Sequence, residues 1–140
     1  MSRRARKMST RWLVDGMNVI GSRPDKWWND PDRAMHSLSK ALDEYAAMTG
    51  DDVTVVFDKA PRTPTQTTHA VVTAASRKGR DAADHEIVEM VEREADPSSL
   101  TVVTSDKRLR DQVQALGSRT VSSGRFRDHL DATTKRRTHR

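Results

Sequence analysis

The 140-residue chain has no cysteine, which excludes a disulfide framework and any thiolate metal site. It has no apolar run near the roughly 18 residues that a membrane span needs, so no membrane partner is expected. The basic first eleven residues are followed by a charged strand and not by the apolar stretch of a signal peptide. Export is therefore not expected, and a cytoplasmic location is. Internal repeats are absent as well. Acids are missing from both ends: residues 1–11 carry five Arg or Lys, and residues 133–140 carry four. Taking those nine from the 25 basic residues leaves 16 against 20 Asp and Glu, a formal −4 for residues 12–132 inside a chain of net +5. An acidic body between two basic ends is the pattern of a soluble protein whose tails hold a polyanion non-specifically or simply solubilise it.

What is present is one domain's worth of chain, enough to bury roughly 68–70% of its unfolded surface. Residues 1–10 and 132–140 are expected as basic disordered tails, and 11–131 as the folded domain. Short β-branched runs alternate with helical patterns. Strands are expected at 11–14, 53–57, 69–74 and 100–104, with a short fifth at 119–123. Helices are expected where Met35, Leu38, Leu42 and Tyr45 recur before Gly50, across 81–95, and at 107–117. One or two helical turns should follow in "GRFRDHLD". The loop "PRTPTQTT" breaks the pattern with two prolines. Val-rich strands separated by helices imply a mainly parallel sheet covered on both faces, a three-layer α/β/α sandwich.

Three of these strands end on an acid: "RWLVD" at Asp15, "VTVVFD" at Asp58 and "LTVVTSD" at Asp106. In open α/β sheets, ligands bind beyond the carboxyl ends of the strands, so the fold gathers these acids along one edge. Two carboxylates about 4 Å apart repel by roughly 4 kcal/mol at an effective dielectric of about 20. A cluster therefore protonates unless a cation neutralises it. Mg²⁺ or Mn²⁺, which take oxygen ligands and keep several waters, suit the donor type and phosphoryl chemistry.

Each acid also has an ordinary use. Asp106 or Ser105 can cap the next helix, Asp58 can begin a loop, and Asp15 before Gly16 can be a turn residue. Asp81 suits an N-cap with Asp84 three residues on, a spacing close to a capping box. Asp84 and His85 share the first turn of that helix, while Asp111 is peripheral. Arg77, Lys78 and Arg80 precede the turn, and Lys107 and Arg108 follow the fourth strand; these cations could attract phosphates while the acids hold a metal. Trp27 and Trp28 follow the first strand, where one could stack on a base and the other pack beneath the loop.

The stretches "LVDGMNVIG", "VTVVFD", "GRDAADHEIVEMV" and "LTVVTSD" together resemble NYN domains of the PIN-like nuclease superfamily, in particular the YacP-like branch. The resemblance spans about residues 11–130. It implies a PIN-like Rossmannoid sheet and a Mg²⁺- or Mn²⁺-dependent endoribonuclease acting on RNA, single-stranded by expectation. Asp15, Asp58, Asp84 and Asp106 match the acidic positions and Asn18 the polar residue that orients them. The implied metal ligands are Asp15, Asp84 and Asp106, with Asp58 as a ligand or water-positioning base. Met17 stands where an aromatic is usual, Ala83 precedes Asp84, and Asp81 replaces a frequent Glu; these departures bear on substrate preference. The implied reaction is in-line attack by water on a phosphodiester, which does not use the ribose 2′-hydroxyl and so leaves DNA open as a substrate. The number of ions, ribosome association and oligomeric state are left open.

Other α/β readings fit less well. A haloacid-dehalogenase-type phosphatase needs an acid at Met17, a receiver domain needs paired acids at the first strand tip, and no G-x-G-x-x-G marks a dinucleotide site. The remaining alternative is a non-catalytic RNA-binding adaptor that keeps the fold.

Overall fold

A computed structural model describes residues 9–76, 78–79 and 81–138. Five strands form one all-parallel sheet: β1 (Arg11–Asp15), β2 (Asp52–Phe57), β3 (Ala70–Ala74), β4 (Leu100–Val103) and β5 (Arg119–Val121). Their order is β3-β2-β1-β4-β5. The chain builds outward from β1 to β3, then returns to lay β4 on the other side of β1. The carboxyl ends of β1 and β4 thus flank the switch point, where open sheets of this class bind ligands.

Alternation along each strand sorts the side chains into two layers. Val14, Val53, Val55, Phe57 and Val103 face a core shared with α1 (Gly16–Gly21), α2 (Pro31–Thr49) and α5 (Ser123–Thr138). Leu13, Val56 and Val102 face α3 (Ala82–Arg93) and α4 (Lys107–Ala115) through Ile87, Val91, Leu109 and Val113. The expected three-layer α/β/α architecture is the one observed. Gly50 ends α2 in the left-handed region at φ 77°, as its position after the last periodic residue implies.

Two elements differ from expectation. The residues after Asp15 form a helical turn and a half, α1, instead of a loop. The final helix is much longer than one or two turns, because Phe126 and Leu130 are fully buried and hold it to the sheet. Helical backbone continues to Thr138, through most of the segment expected as a disordered C-terminal tail. The N-terminal tail lies, but for residues 9 and 10, outside the described residues. Trp12, Tyr45 and Phe126 pack as an aromatic trio with ring centroids 5.0–6.4 Å apart, fastening α5 over β1.

The connection from β2 to β3 has no helix. Its far end is pinned by Asp43 on α2, whose Oδ1 accepts from the backbone N–H groups of Thr68, His69 and Ala70 at 3.0, 2.6 and 2.8 Å. Burial acts to raise the Asp43 pKa, but the three N–H donors outweigh it and hold the carboxyl below its ordinary value. Among the described residues no helix is long and apolar enough to cross a membrane.

Candidate functional site

The site begins with Asp15, at the carboxyl tip of the central strand. It occupies the N-cap position of α1 but its side chain makes no capping bond, so capping does not account for an acid here. Only 5% of the residue is exposed. Burial is the main force pushing its pKa up to about 7; Asp84 and Asp58 add to the rise, and hydrogen bonds from the Thr104 hydroxyl and the Asn18 backbone oppose it. Thr104 Oγ1 donates to Asp15 Oδ2 at 2.9 Å.

Gly16 is what lets the chain turn away from that tip. A Cβ at this position would lie 2.5 Å from the Phe57 ring and 2.9 Å from Val55 Cγ2. The helix can start directly above β2 only because no side chain intervenes.

The other acids converge from neighbouring strand ends. Asp58 follows β2, and its Oδ1 accepts from the Ala83 N–H in the first turn of α3 at 3.1 Å. That bond draws α3 toward the strand tips and so brings up Asp84. Burial first, then Asp106, Asp81 and Asp58, push the Asp84 pKa up to about 6, with His85 opposing. Asp106 follows β4; its Oδ1 accepts from Arg108 N–H at 2.9 Å and Leu109 N–H at 3.4 Å, capping α4. The capping use anticipated for Asp106 is therefore present, and it takes one carboxylate oxygen of the two. The cap anticipated for Asp81 is not: Asp81 holds the N-cap position of α3 with no capping bond, because Asp58 supplies an acceptor from across the sheet edge.

Asn18 closes the arrangement from α1. Its Oδ1 accepts from Ser105 N–H at 2.8 Å and from Ser123 Oγ at 2.6 Å. The side chain thus ties α1, the β4–α4 turn and the start of α5 together behind the acids. Ser105 Oγ in turn accepts from Ser123 N–H at 2.9 Å.

Four acids from distant parts of the chain are thereby brought within electrostatic reach of one another. Among the described residues none of the four forms an ion pair with Lys or Arg. Nor do three or more Asp, Glu or His side chains make a ready metal-holding group among those residues, and Asp58 and Asp106 each direct one oxygen at a helix N-terminus. The donor set is hard oxygen with an excess of negative charge. It suits a cation held by one or two carboxylates and otherwise by water, the habit of Mg²⁺, and not a closed three-carboxylate cage.

The expected cations fall differently. Lys107 is committed to Asp111 at 2.7 Å on the exposed face of α4. Arg108 is exposed and shares a cavity of about 220 Å³ with Asp81, Asp84 and His85. Lys78 lies beside Asp58 in a second cavity, while Arg77 and Arg80 lie outside the described residues. Trp27 is partly buried against the core, whereas Trp28 is 59% exposed. Two contributors were not singled out from sequence, Thr104 and Ser123, and Ser105, anticipated as a cap, instead links Asn18 to Ser123. Thr104 stands in the T-S-D stretch itself, and a hydroxyl at a strand tip beside an acid was the available signal. Ser123 carried none, because its partner lies 105 residues away.

The model of the YacP-like NYN domain matches residues 12–140. The crystal structure of Rae1 (YacP) from Bacillus subtilis is similar, with a TM-score of 0.70 and 24% identity over 92% of this chain and 79% of that one. A single-substitution mutant of the same protein gives a TM-score of 0.69 and 26% identity over 91% and 80% of the two chains. Among curated proteins none matches this chain.

Proposed function

The chain belongs to the YacP-like NYN family of nuclease-like domains, and from that premise we propose that it is a metal-dependent endoribonuclease hydrolysing RNA phosphodiester bonds at its strand-tip aspartates. The observation that carries this reading is Asp15. A buried carboxyl whose pKa is pushed up to about 7 by burial and by neighbouring acids destabilises the fold when ionised. It serves no cap and, among the described residues, pairs with no Lys or Arg, so its use lies with something positive that arrives from outside.

Asp15, Asp84 and Asp106 would hold a Mg²⁺ or Mn²⁺ ion, directly or through its waters. Such an ion, when bound, lowers the pKa of water and offsets charge on a phosphate. The protein's own part is positional. Thr104 fixes the Asp15 carboxylate, and Asn18 fixes the turn that presents Asp106. Asp58 keeps one oxygen free of the α3 backbone, suitable for taking a proton from the attacking water. Arg108 and Lys78 flank the acids and would take the phosphates on either side of the cut. The substrate we assign is single-stranded RNA, whose extended backbone can reach Arg108 and Lys78 on the two sides of the acids.

The test is cleavage of end-labelled single-stranded RNA with and without EDTA, beside Asp15→Asn and Asp106→Asn. Loss of cleavage in all three conditions supports the reading. Cleavage indifferent to chelator and to both substitutions defeats it, and RNA binding with no cleavage by the unaltered protein favours an adaptor.

A further inference from the structure

Beside the acids lies a cavity of about 510 Å³, of whose lining the reaction just described uses only Asp58 and Lys78. It falls within the roughly 300–1,000 Å³ typical of small-ligand sites. Its apolar wall is made by Met17, Pro31 and Met35, and Ala75 faces them at the end of β3. Asp58 belongs to the same wall, so the cavity is continuous with the acidic cluster. At its mouth stand Lys59 and Lys78, both exposed.

Three features identify an occupant. The wall is apolar and carries thioethers, which make favourable contacts with aromatic rings. The mouth is cationic, which suits a phosphodiester. The cavity also opens beside Asp58, so whatever fills it is joined to the group being cut. An RNA strand has all three properties at once, in its base, its backbone and its continuity. Met17 comes two residues after Asp15, on the turn that leaves the same strand tip, so the reacting phosphate and the base next to it are positioned by one short segment.

We propose that this cavity is a nucleobase subsite: the base flanking the scissile phosphate turns out of its stack and inserts between Met17, Pro31 and Met35, with Lys59 and Lys78 on the adjoining phosphates. This rests on the nuclease reading for the position of the phosphate. Insertion of one base requires an unpaired strand, which restricts the enzyme to single-stranded or looped RNA.

The test is binding of a fluorescent oligoribonucleotide, by anisotropy in Mg²⁺, to Asp15→Asn protein carrying one of two filling substitutions. Ala75→Leu narrows the cavity from within. Ala60→Trp closes its mouth from an exposed position on the same wall, and so leaves the core intact should the first variant fail to fold. Burying the face of a base against apolar side chains supports an effect of about fivefold or more. We expect both fillings to weaken intact RNA by that factor. A single abasic ribose, moved along the strand, should weaken binding to the unfilled protein at one position and have no further effect on the filled ones. Unchanged affinity in the folded variants, or indifference to the abasic ribose at every position, overturns the subsite. Cleavage by the unaltered enzyme is scored separately. Silent fillings in an enzyme that cuts RNA remove only the subsite, whereas base-dependent binding without cleavage supports the subsite and removes the nuclease reading.

Discussion

The Thr104 hydroxyl donates to Asp15 Oδ2 at 2.9 Å and accepts the Asp106 N–H at 3.1 Å. One side chain therefore joins the acid of the first strand to the acid of the fourth. The bond to Asp15 favours the ionised carboxylate and opposes the effect of burial. Thr104→Val keeps the shape and removes the hydroxyl. The Asp15 pKa should then rise further, moving the acid limb of the pH–rate profile to higher pH. Leaving a buried carboxylate oxygen unpartnered costs about 1–3 kcal/mol, which urea unfolding at pH 8 would register.

Stability of the metal-free protein should fall as pH rises. Asp15 and Asp84 have folded pKa values pushed up to about 7 and about 6. Between pH 4 and 7 the native state thus retains protons that the unfolded chain has released. Stability contributed by the protonated forms is complete below the unfolded pKa and is lost through the folded one. For buried Asp15 a proton held about three decades more tightly is worth roughly 4 kcal/mol as an upper bound. The melting temperature in EDTA should be lower at pH 8 than at pH 5. Adding Mg²⁺ or Mn²⁺ should raise it strongly at pH 8 and little at pH 5, and Asp15→Asn should shrink the pH difference to the part that Asp84 contributes.

Asp58 and Asp106 each combine a structural bond with a candidate chemical role, and substitution can separate the two. Asn accepts from a helix N–H as Asp does, so Asp58→Asn and Asp106→Asn should melt within a few degrees of the parent and lose cleavage. Alanine at either position should cost about 1 kcal/mol in addition, measured by denaturant midpoint.

Gly16→Ala should destabilise without touching any acid. The new methyl meets the Phe57 ring at 2.5 Å, and overpacking of this kind costs about 1–3 kcal/mol. Pairing it with Phe57→Leu should recover part of the loss in urea unfolding, which would locate the effect in that contact and not in the helix that follows.

The sheet was legible because its strands are continuous β-branched runs and its helices α2, α3 and α4 carry periodic apolar stripes. Acids at strand tips were legible for the same reason: once the strands are placed, the parallel topology dictates which ends share an edge. The short α1 was hidden because six residues carry too little periodicity, and its cause, the close approach of Gly16 to Phe57, is a tertiary contact. Helix α5 was hidden because only Phe126 and Leu130 mark its buried face amid charged residues. The division of labour between Asp81 and Asp58 at the start of α3 could not be read either. Sequence offers the nearest acceptor, whereas the fold supplies one from 25 residues away.

Strand β1 pairs with β2 on one side and with β4 on the other, so that Arg11 is in register with both Asp52 and Leu100. During synthesis the first half of the sheet can form while Asp106 has yet to be made. In chain order the candidate site is completed late, because Asp106 follows β4, which pairs with β1 on the side away from β2. A chain that stops before β4 would carry Asp15, Asp58 and Asp84 but lack Thr104, Ser105 and Asp106, so the four acids can meet only once the fourth strand is in place.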